Sequence, residues 1–348
     1  MHLYSVVAGK IGEILTARIC QCFSVNKTSI YNTDLLFLFS YLSNTIERKQ
    51  TMANSSERVF ILGGTGNVGS KTTRDLIAKG IPVTLYARQP EKAKALFENN
   101  SLVNTIQGDY KDLAPLKEGL KGHTRLFLLI ADMYNMIHLK KTIAAWAYEA
   151  GVKQIVDISS FTVSCPLRTT FIGVNHYESE QAIYHLPNRG AYVALRPGRF
   201  MSNILMFDGF QFSKDTIFDT IDADKPQGWV SPNDIGAVAA VVLSEDIEKH
   251  GDSVYELNSD VATPAQRAAY LSRILGREIK YKKIDSLEKY DMLMSTRHLS
   301  HPFAYCLSAN LASYDMQNPT ITDGIHILLR RKPETLEKYL EDNKHLFK

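Results

Sequence analysis

From residue 58 onward, short apolar runs alternate with stretches of helical period, and the alternation persists to residue 197. The run RVFIL at 58–62 is short, apolar and β-branched, the pattern of a strand. A helix is expected over 67–79, stopped by Gly80 with Pro82 just behind it. PVTLYA at 82–87 reads as a second strand, and PEKAKALFEN at 90–99 as a helix opened by Pro90. LVNTIQ at 102–107 is a third strand, and RLFLLIA at 125–131 is apolar on both faces, as a strand buried under helices should be. A long helix follows at 134–150, capped by Gly151. QIVDIS at 154–159 and AYVALRP at 191–197 are further strands, with a helix at about 175–186 between them. Strands alternating with helices predict an α/β fold whose core is a doubly wound, Rossmann-like parallel sheet.

Beyond Pro197 the pattern loosens. PNDIGAVAAVVLS at 232–244 predicts a helix with Asn233 as cap, and VYELNS at 254–259 a strand. TPAQRAAYLSRIL at 263–275 predicts a helix capped by Thr263, with Pro264 at its first position. PETLEKYLEDN at 333–343 closes the chain as a helix. The expected organisation is an extension at 1–52, poorly ordered; a nucleotide-binding domain at 53–197; and a smaller α/β region at 198–348 that builds the substrate side of a cleft.

Composition narrows the partners. Of 348 residues, 45% are hydrophobic and 22% charged, ordinary for a globular protein, and a net charge of +3 without any dense basic block argues against nucleic acid or an anionic membrane. Cys20, Cys22, Cys165 and Cys306 form neither a disulfide framework nor a metal site. The apolar run LLFLF at 35–39 is far shorter than the ~20 residues of a membrane span. Five basic against three acidic residues in the extension leave a mitochondrial address open beside the expected cytoplasmic one.

The densest signal is FILGGTGNVGS at 60–70. Gly64, Gly66 and Gly69 satisfy GxGxxG, while Gly63, Gly66 and Gly69 satisfy GxxGxxG. In either register the first glycine turns the chain off the strand, Gly66 lets a pyrophosphate approach, and Gly69 lets helix and strand pack closely. Thr65, Asn67 and Val68 complete a cradle at a helix N-terminus, whose free N–H groups attract phosphate. A P-loop is excluded, because Ser70 stands where that motif needs lysine. An NAD site usually carries an acid at the end of the second strand. Here Arg88 stands there, with Lys92 a helical turn on, which favours NADP(H) over NAD(H) through a bidentate contact to the 2′-phosphate. Asp109, followed by Tyr110 in QGDY, either accepts a bond from the adenine amino group or caps the short helix that follows.

With FILGGTGNVGS, LYARQPEKA, QGDYKD, AGVKQIVDISS, NHYESEQAI, LRPGRFMSN, SPNDIGAVAA and RRKPETLEKYL in this order over about 58–345, the chain resembles the NmrA-like branch of the atypical short-chain dehydrogenase/reductases. The resemblance implies NADP(H) along the carboxyl edge of the sheet. Members of the branch include NADPH-dependent quinone, azo-dye and triphenylmethane reductases, an iminium-reducing dehydrogenase, and non-catalytic redox sensors; a related respiratory-complex subunit holds NADPH structurally. The wider superfamily uses a YxxxK pair, but Tyr177 is followed four residues later by Gln181, which cannot lower a phenol pKa by charge. Ser160 matches the superfamily's catalytic serine. His176 and Glu180 stand where the branch commonly has His and Glu; His176 is a proton donor near neutral pH or a structural hydrogen-bonding group. Ser160, Phe161, Tyr177, Phe200 and Met201 are candidates for the substrate side, the last two equally candidates for core. The expectation is an NADPH-dependent reductase of a small conjugated electrophile of quinone, azo or iminium type; a non-catalytic NADP(H) sensor with a regulatory protein partner is the alternative.

Overall fold

The computed structural model describes residues 57–166, 168–207, 215–309 and 319–347; the extension at 1–52, with its expected disorder and address, lies outside the described residues. The strands are β1 (Val59–Leu62), β2 (Val83–Ala87), β3 (Val103–Gln107), β4 (Arg125–Leu128), β5 (Gln154–Ile158), β6 (Ala191–Pro197), β7 (Arg199–Phe200), β8 (Thr216–Asp219), β9 (Gln227–Val230), β10 (Val254–Leu257), β11 (Asp260–Ala262) and β12 (Lys280–Lys283). The helices are α1 (Asn67–Ala78), α2 (Pro90–Phe97), α3 (Ala114–Gly119), α4 (Met136–Glu149), α5 (Phe171–Tyr184), α6 (Asn203–Phe207) and α7 (Pro232–Val242). They continue as α8 (Ile247–His250), α9 (Pro264–Leu275), α10 (Ser286–Arg297), α11 (His301–Ser308), α12 (Gly324–Leu329) and α13 (Leu336–Asp342).

Seven parallel strands run in the order β10-β6-β5-β4-β1-β2-β3, the doubly wound arrangement that the alternation predicts. Successive side chains of β1 point to opposite faces. Val59 and Ile61 meet Val68 and Leu76 of α1 and Ile235 and Val238 of α7. Phe60 and Leu62 meet Leu116 of α3 and Leu139 and Ile143 of α4. The order of β1 and β4 reverses the direction of winding, and the cleft outside their carboxyl ends is where such sheets bind ligands.

The region after β6 adds the mixed sheet β11-β9-β7 and the parallel pair β12-β8. Met201, Ile204, Trp229, Leu271 and Leu340 form its core. Asn54–Lys348 make one compact unit, because α7 of this later region packs directly into the main core. Among the described residues no helix is long and apolar enough to cross a membrane.

Local chemistry explains where element ends depart from expectation. α5 begins at Phe171, earlier than 175, because Thr170 accepts the Gly173 N–H and caps it. Ser231, not Asn233, caps α7: its hydroxyl accepts the Asn233 N–H at 3.0 Å. The Thr263 cap of α9 is a full capping box with Gln266. Strands of two to four residues such as β7, β8 and β12 show no period in sequence.

Candidate dinucleotide and acceptor site

The glycine loop shows which register the fold uses. Gly63 leaves β1 at φ +76°, a conformation side chains rarely adopt. A Cβ on Gly69 would lie 2.2 Å from the Gly63 carbonyl oxygen, so only glycine lets α1 approach the turn. Gly64 serves the packing of β1 on β2 instead, since a Cβ there would lie 2.7 Å from the Leu85 side chain. The three roles therefore fall on Gly63, Gly66 and Gly69, the GxxGxxG register.

Gly66 differs from its neighbours. Its φ is −88°, and a Cβ there would meet only the Gly63 oxygen, at an ordinary 3.4 Å. The protein's own packing does not demand glycine at this exposed position, but a phosphate seated against the backbone would. α1 has no side-chain cap and no acid in its first turn. Its first N–H groups lack intrahelical acceptors, and nothing in that turn offsets their partial positive charge. Asn67 is exposed beside them, while Thr65 is half-buried and Val68 buried. The residues present fit a pyrophosphate.

At the other end of the cleft, Arg88 follows β2, is exposed, and makes no ion pair among the described residues. Lys92 is exposed on α2. Burial pushes the Tyr110 phenol up to about 12, helped by Tyr86 and opposed by the nearby Arg88 guanidinium. Tyr86 donates to the carbonyl oxygens of Asp109 and Asp112, tying β2 to the loop after β3. Asp109 does not cap α3: its carboxylate accepts the Lys111 N–H at 2.8 Å, and Asp112 accepts the Ala114 N–H.

Ser160 sits just past β5. Its hydroxyl lies 2.8 Å from that of Thr162 and accepts the Thr162 N–H at 3.2 Å, capping a short 3-10 turn, Phe161–Ser164. Phe161 is half-buried on that turn. A cavity of about 200 Å³ lies between this turn and the start of α5, lined by Thr162, Cys165, Arg168 and Tyr177 among others. Met201 is fully buried in the smaller core and Phe200 packs against the main one. Met201 is therefore a packing residue and not a wall of the cleft.

His176 lies on the buried side of α5, with Ser179, Glu180 and Ile183. Burial and then the Lys140 charge hold its imidazole well below 6.5, so it is neutral at pH 7 and is not an acid poised for proton delivery. The sign of the consequence is definite. Below pH 6.5 the unfolded chain binds a proton here that the folded chain refuses, so stability falls as pH drops from 6.5. Urea melts at pH 7.5 and 5.5 should show H176N losing less stability across this interval than the parent; identical losses would reject this account.

Two polar networks lie behind the site: the Lys140–Asp157 pair, which sequence reasoning missed, and the partners of Glu180, a residue that it did single out. Lys140 and Asp157, both fully buried, pair at 2.7 Å; Lys140 also donates to the Ile158 carbonyl oxygen, and Tyr192 donates to Asp157. Glu180 holds Arg196 at 2.6 Å and accepts the Ser159 hydroxyl at 2.5 Å. Both networks fix the carboxyl end of β5, which carries Ser160. A sequence signal existed: Lys140 falls in the apolar stripe Met136, Leu139, Ile143, Ala144, Ala147, and Asp157 interrupts an apolar strand.

A parallel doubly wound sheet whose glycine turn opens an uncapped helix defines a dinucleotide-binding Rossmann-type protein. The chain belongs to the NmrA-like family, whose sequence model matches residues 55–340. It is 31% identical over 227 residues to a (4-alkanoyl-5-oxo-2,5-dihydrofuran-3-yl)methyl phosphate reductase of Streptomyces griseus, covering 65% of this chain and 77% of that protein. It is 28% identical over 238 residues to an NAD(P)H azoreductase of Xenophilus azovorans, covering 68% and 80% respectively. Among solved structures, an NADPH-dependent quinone oxidoreductase of Escherichia coli, complexed with NADPH, superposes with a TM-score of 0.68 at 25% identity, over 83% of this chain and all of that one.

Proposed function

We propose that this protein is an NADPH-dependent reductase of small conjugated electrophiles of the quinone or azo type. Gly66 is the observation that carries the reading: an exposed glycine that the protein's own packing does not require, at the uncapped N-terminus of α1 where a phosphate would approach the backbone. The relatives named above, reductases of an oxodihydrofuran phosphate, an azo compound and a quinone, support the reaction class. When bound, NADPH supplies the hydride.

The chain's own residues do the rest. The loop Gly63–Gly69 and the α1 N-terminus hold the pyrophosphate, and Arg88 and Lys92 hold the 2′-phosphate. The hydroxyls of Ser160 and Tyr177 orient the acceptor's oxygen or nitrogen. Position 181 carries Gln, His176 is neutral, and the Cys165 thiol is pushed up by burial, so none of these residues supplies a strong acid. Acceptors that take hydride without prior protonation, such as a quinone, match this, since the proton that would complete the hydroquinone can come from water.

The test is cofactor oxidation with 1,4-benzoquinone and an azo dye. Tight NADPH binding without turnover of either would favour a non-catalytic NADP(H) binder instead. For cofactor choice, R88D should weaken NADP about tenfold to a hundredfold, from the loss of charge-assisted hydrogen bonds of ~1.5–3 kcal/mol, and leave NAD nearly unchanged. Fluorescence titration with both cofactors reads this; equal losses would remove Arg88 from the 2′-phosphate.

A further inference from the structure

The cavity beside Ser160 specifies more about the acceptor than the reaction class does. Its described lining residues all come from one stretch, Thr162–Tyr177, and its volume is about 200 Å³. An apolar cavity of about 150 Å³ takes benzene, while drug-sized ligands occupy ~300–1,000 Å³. That volume matches one ring with a small substituent more closely than two fused rings. Thr162 connects the cavity to the reaction side, since its hydroxyl is 2.8 Å from that of Ser160.

The polar lining is largely spoken for. Thr169 donates to the Pro166 carbonyl oxygen at 2.6 Å, Thr170 accepts the Gly173 N–H at 2.8 Å, and Thr162 is paired with Ser160. The Arg168 guanidinium and the Tyr177 hydroxyl make no hydrogen bond or ion pair with another described residue. Among the described residues Arg168 is the one charged side chain in the lining, and none of them brings a carboxylate to neutralise it. Burial pushes the Cys165 thiol up, so it adds no negative charge at neutral pH.

We propose that this cavity is an acceptor subsite for a single conjugated ring bearing an anionic oxygen group, carboxylate or phosphate, with Arg168 binding the anion and Tyr177 the ring carbonyl. The proposal rests on the reductase reading for its reaction but not for its binding. A guanidinium recognises both anions by the same bidentate hydrogen bonds, and a neutral ring leaves it without a partner.

Calorimetry on the NADP-loaded protein tests the binding without turnover, using phenyl phosphate, benzoate, benzamide and 2-naphthoate as probes. Phenyl phosphate or benzoate should bind about tenfold more tightly than benzamide, as one partly solvated charge-assisted contact warrants; which of the two leads identifies the natural anion. Naphthoate should bind more weakly than benzoate. R168A should bring the anions down to benzamide, and R168K should recover part of the difference. Arg168 is exposed, and a thermal melt confirms that R168A is folded. In turnover, 1,4-benzoquinone carrying a carboxymethyl group should show a higher kcat/KM than the plain quinone. Equal binding of benzamide and benzoate, an anion preference that survives R168A, or stronger binding of naphthoate would each overturn the proposal. Arg168-dependent binding without turnover of any quinone would leave the subsite standing and sink the reductase reading alone.

Discussion

K140M is expected to destabilise the folded protein by about 3–5 kcal/mol, one of the largest effects of any single substitution here, because it strands a buried carboxylate without its cation. Lys140 and Asp157 are both fully buried, so water cannot replace the lost ammonium. Burial already raises the Asp157 pKa, with the Lys140 charge opposing it, and removing Lys140 raises it further. A carboxyl whose folded pKa is raised favours folding below its unfolded value of 3.8 and loses that contribution as pH rises through the folded pKa. The deficit of K140M should therefore shrink as pH falls. In the double variant K140M/D157N much of the loss should return, since no uncompensated charge remains. Urea unfolding of the parent, K140M, D157N and K140M/D157N at two pH values measures all of this. A deficit independent of pH, or additive losses in the double variant, would show that the pair contributes no more than its packing.

The second large effect separates two glycines three residues apart. At Gly69 a new Cβ meets the backbone of Gly63 at 2.2 Å and of Gly64 at 2.8 Å, neither of which is the end of a flexible side chain. G69A should lose at least ~1–3 kcal/mol of stability from overpacking, and its cofactor affinity with it. At Gly66 the new Cβ meets nothing nearer than 3.4 Å. G66A should fold with a loss under about 1 kcal/mol, as a poorer N-cap than glycine. Its NADPH affinity should nonetheless fall about tenfold or more, since the same ~1–3 kcal/mol of crowding now falls on the pyrophosphate. Denaturation curves and NADPH titrations of both variants give the comparison. If G66A bound NADPH like the parent, the phosphates would not lie against this loop.

Much of the site was legible because its signals are local. The strand–glycine–helix unit, Arg88 after β2 and Ser160 after β5 all follow from short patterns that the chain carries whatever surrounds it. Asn233 failed as a cap because Ser231, two residues earlier, reaches the Asn233 N–H first. Met201 failed as a cleft wall because the two-residue strand β7 and the mixed sheet that buries it leave no periodic trace.

By itself, then, the sequence determined the parallel α/β alternation, the phosphate turn and the likeness to a reductase family, since hydrophobic period and glycine spacing act within one element and its neighbour. Only the tertiary structure decided that Gly63 and not Gly64 makes the turn, that His176 faces inward and stays neutral, and that Lys140 finds Asp157 and Tyr192. Period says which side chains point inward. What a buried charge meets there depends on the order of the strands, and α4 brings Lys140 to β5 and β6 only because those strands lie side by side in the sheet.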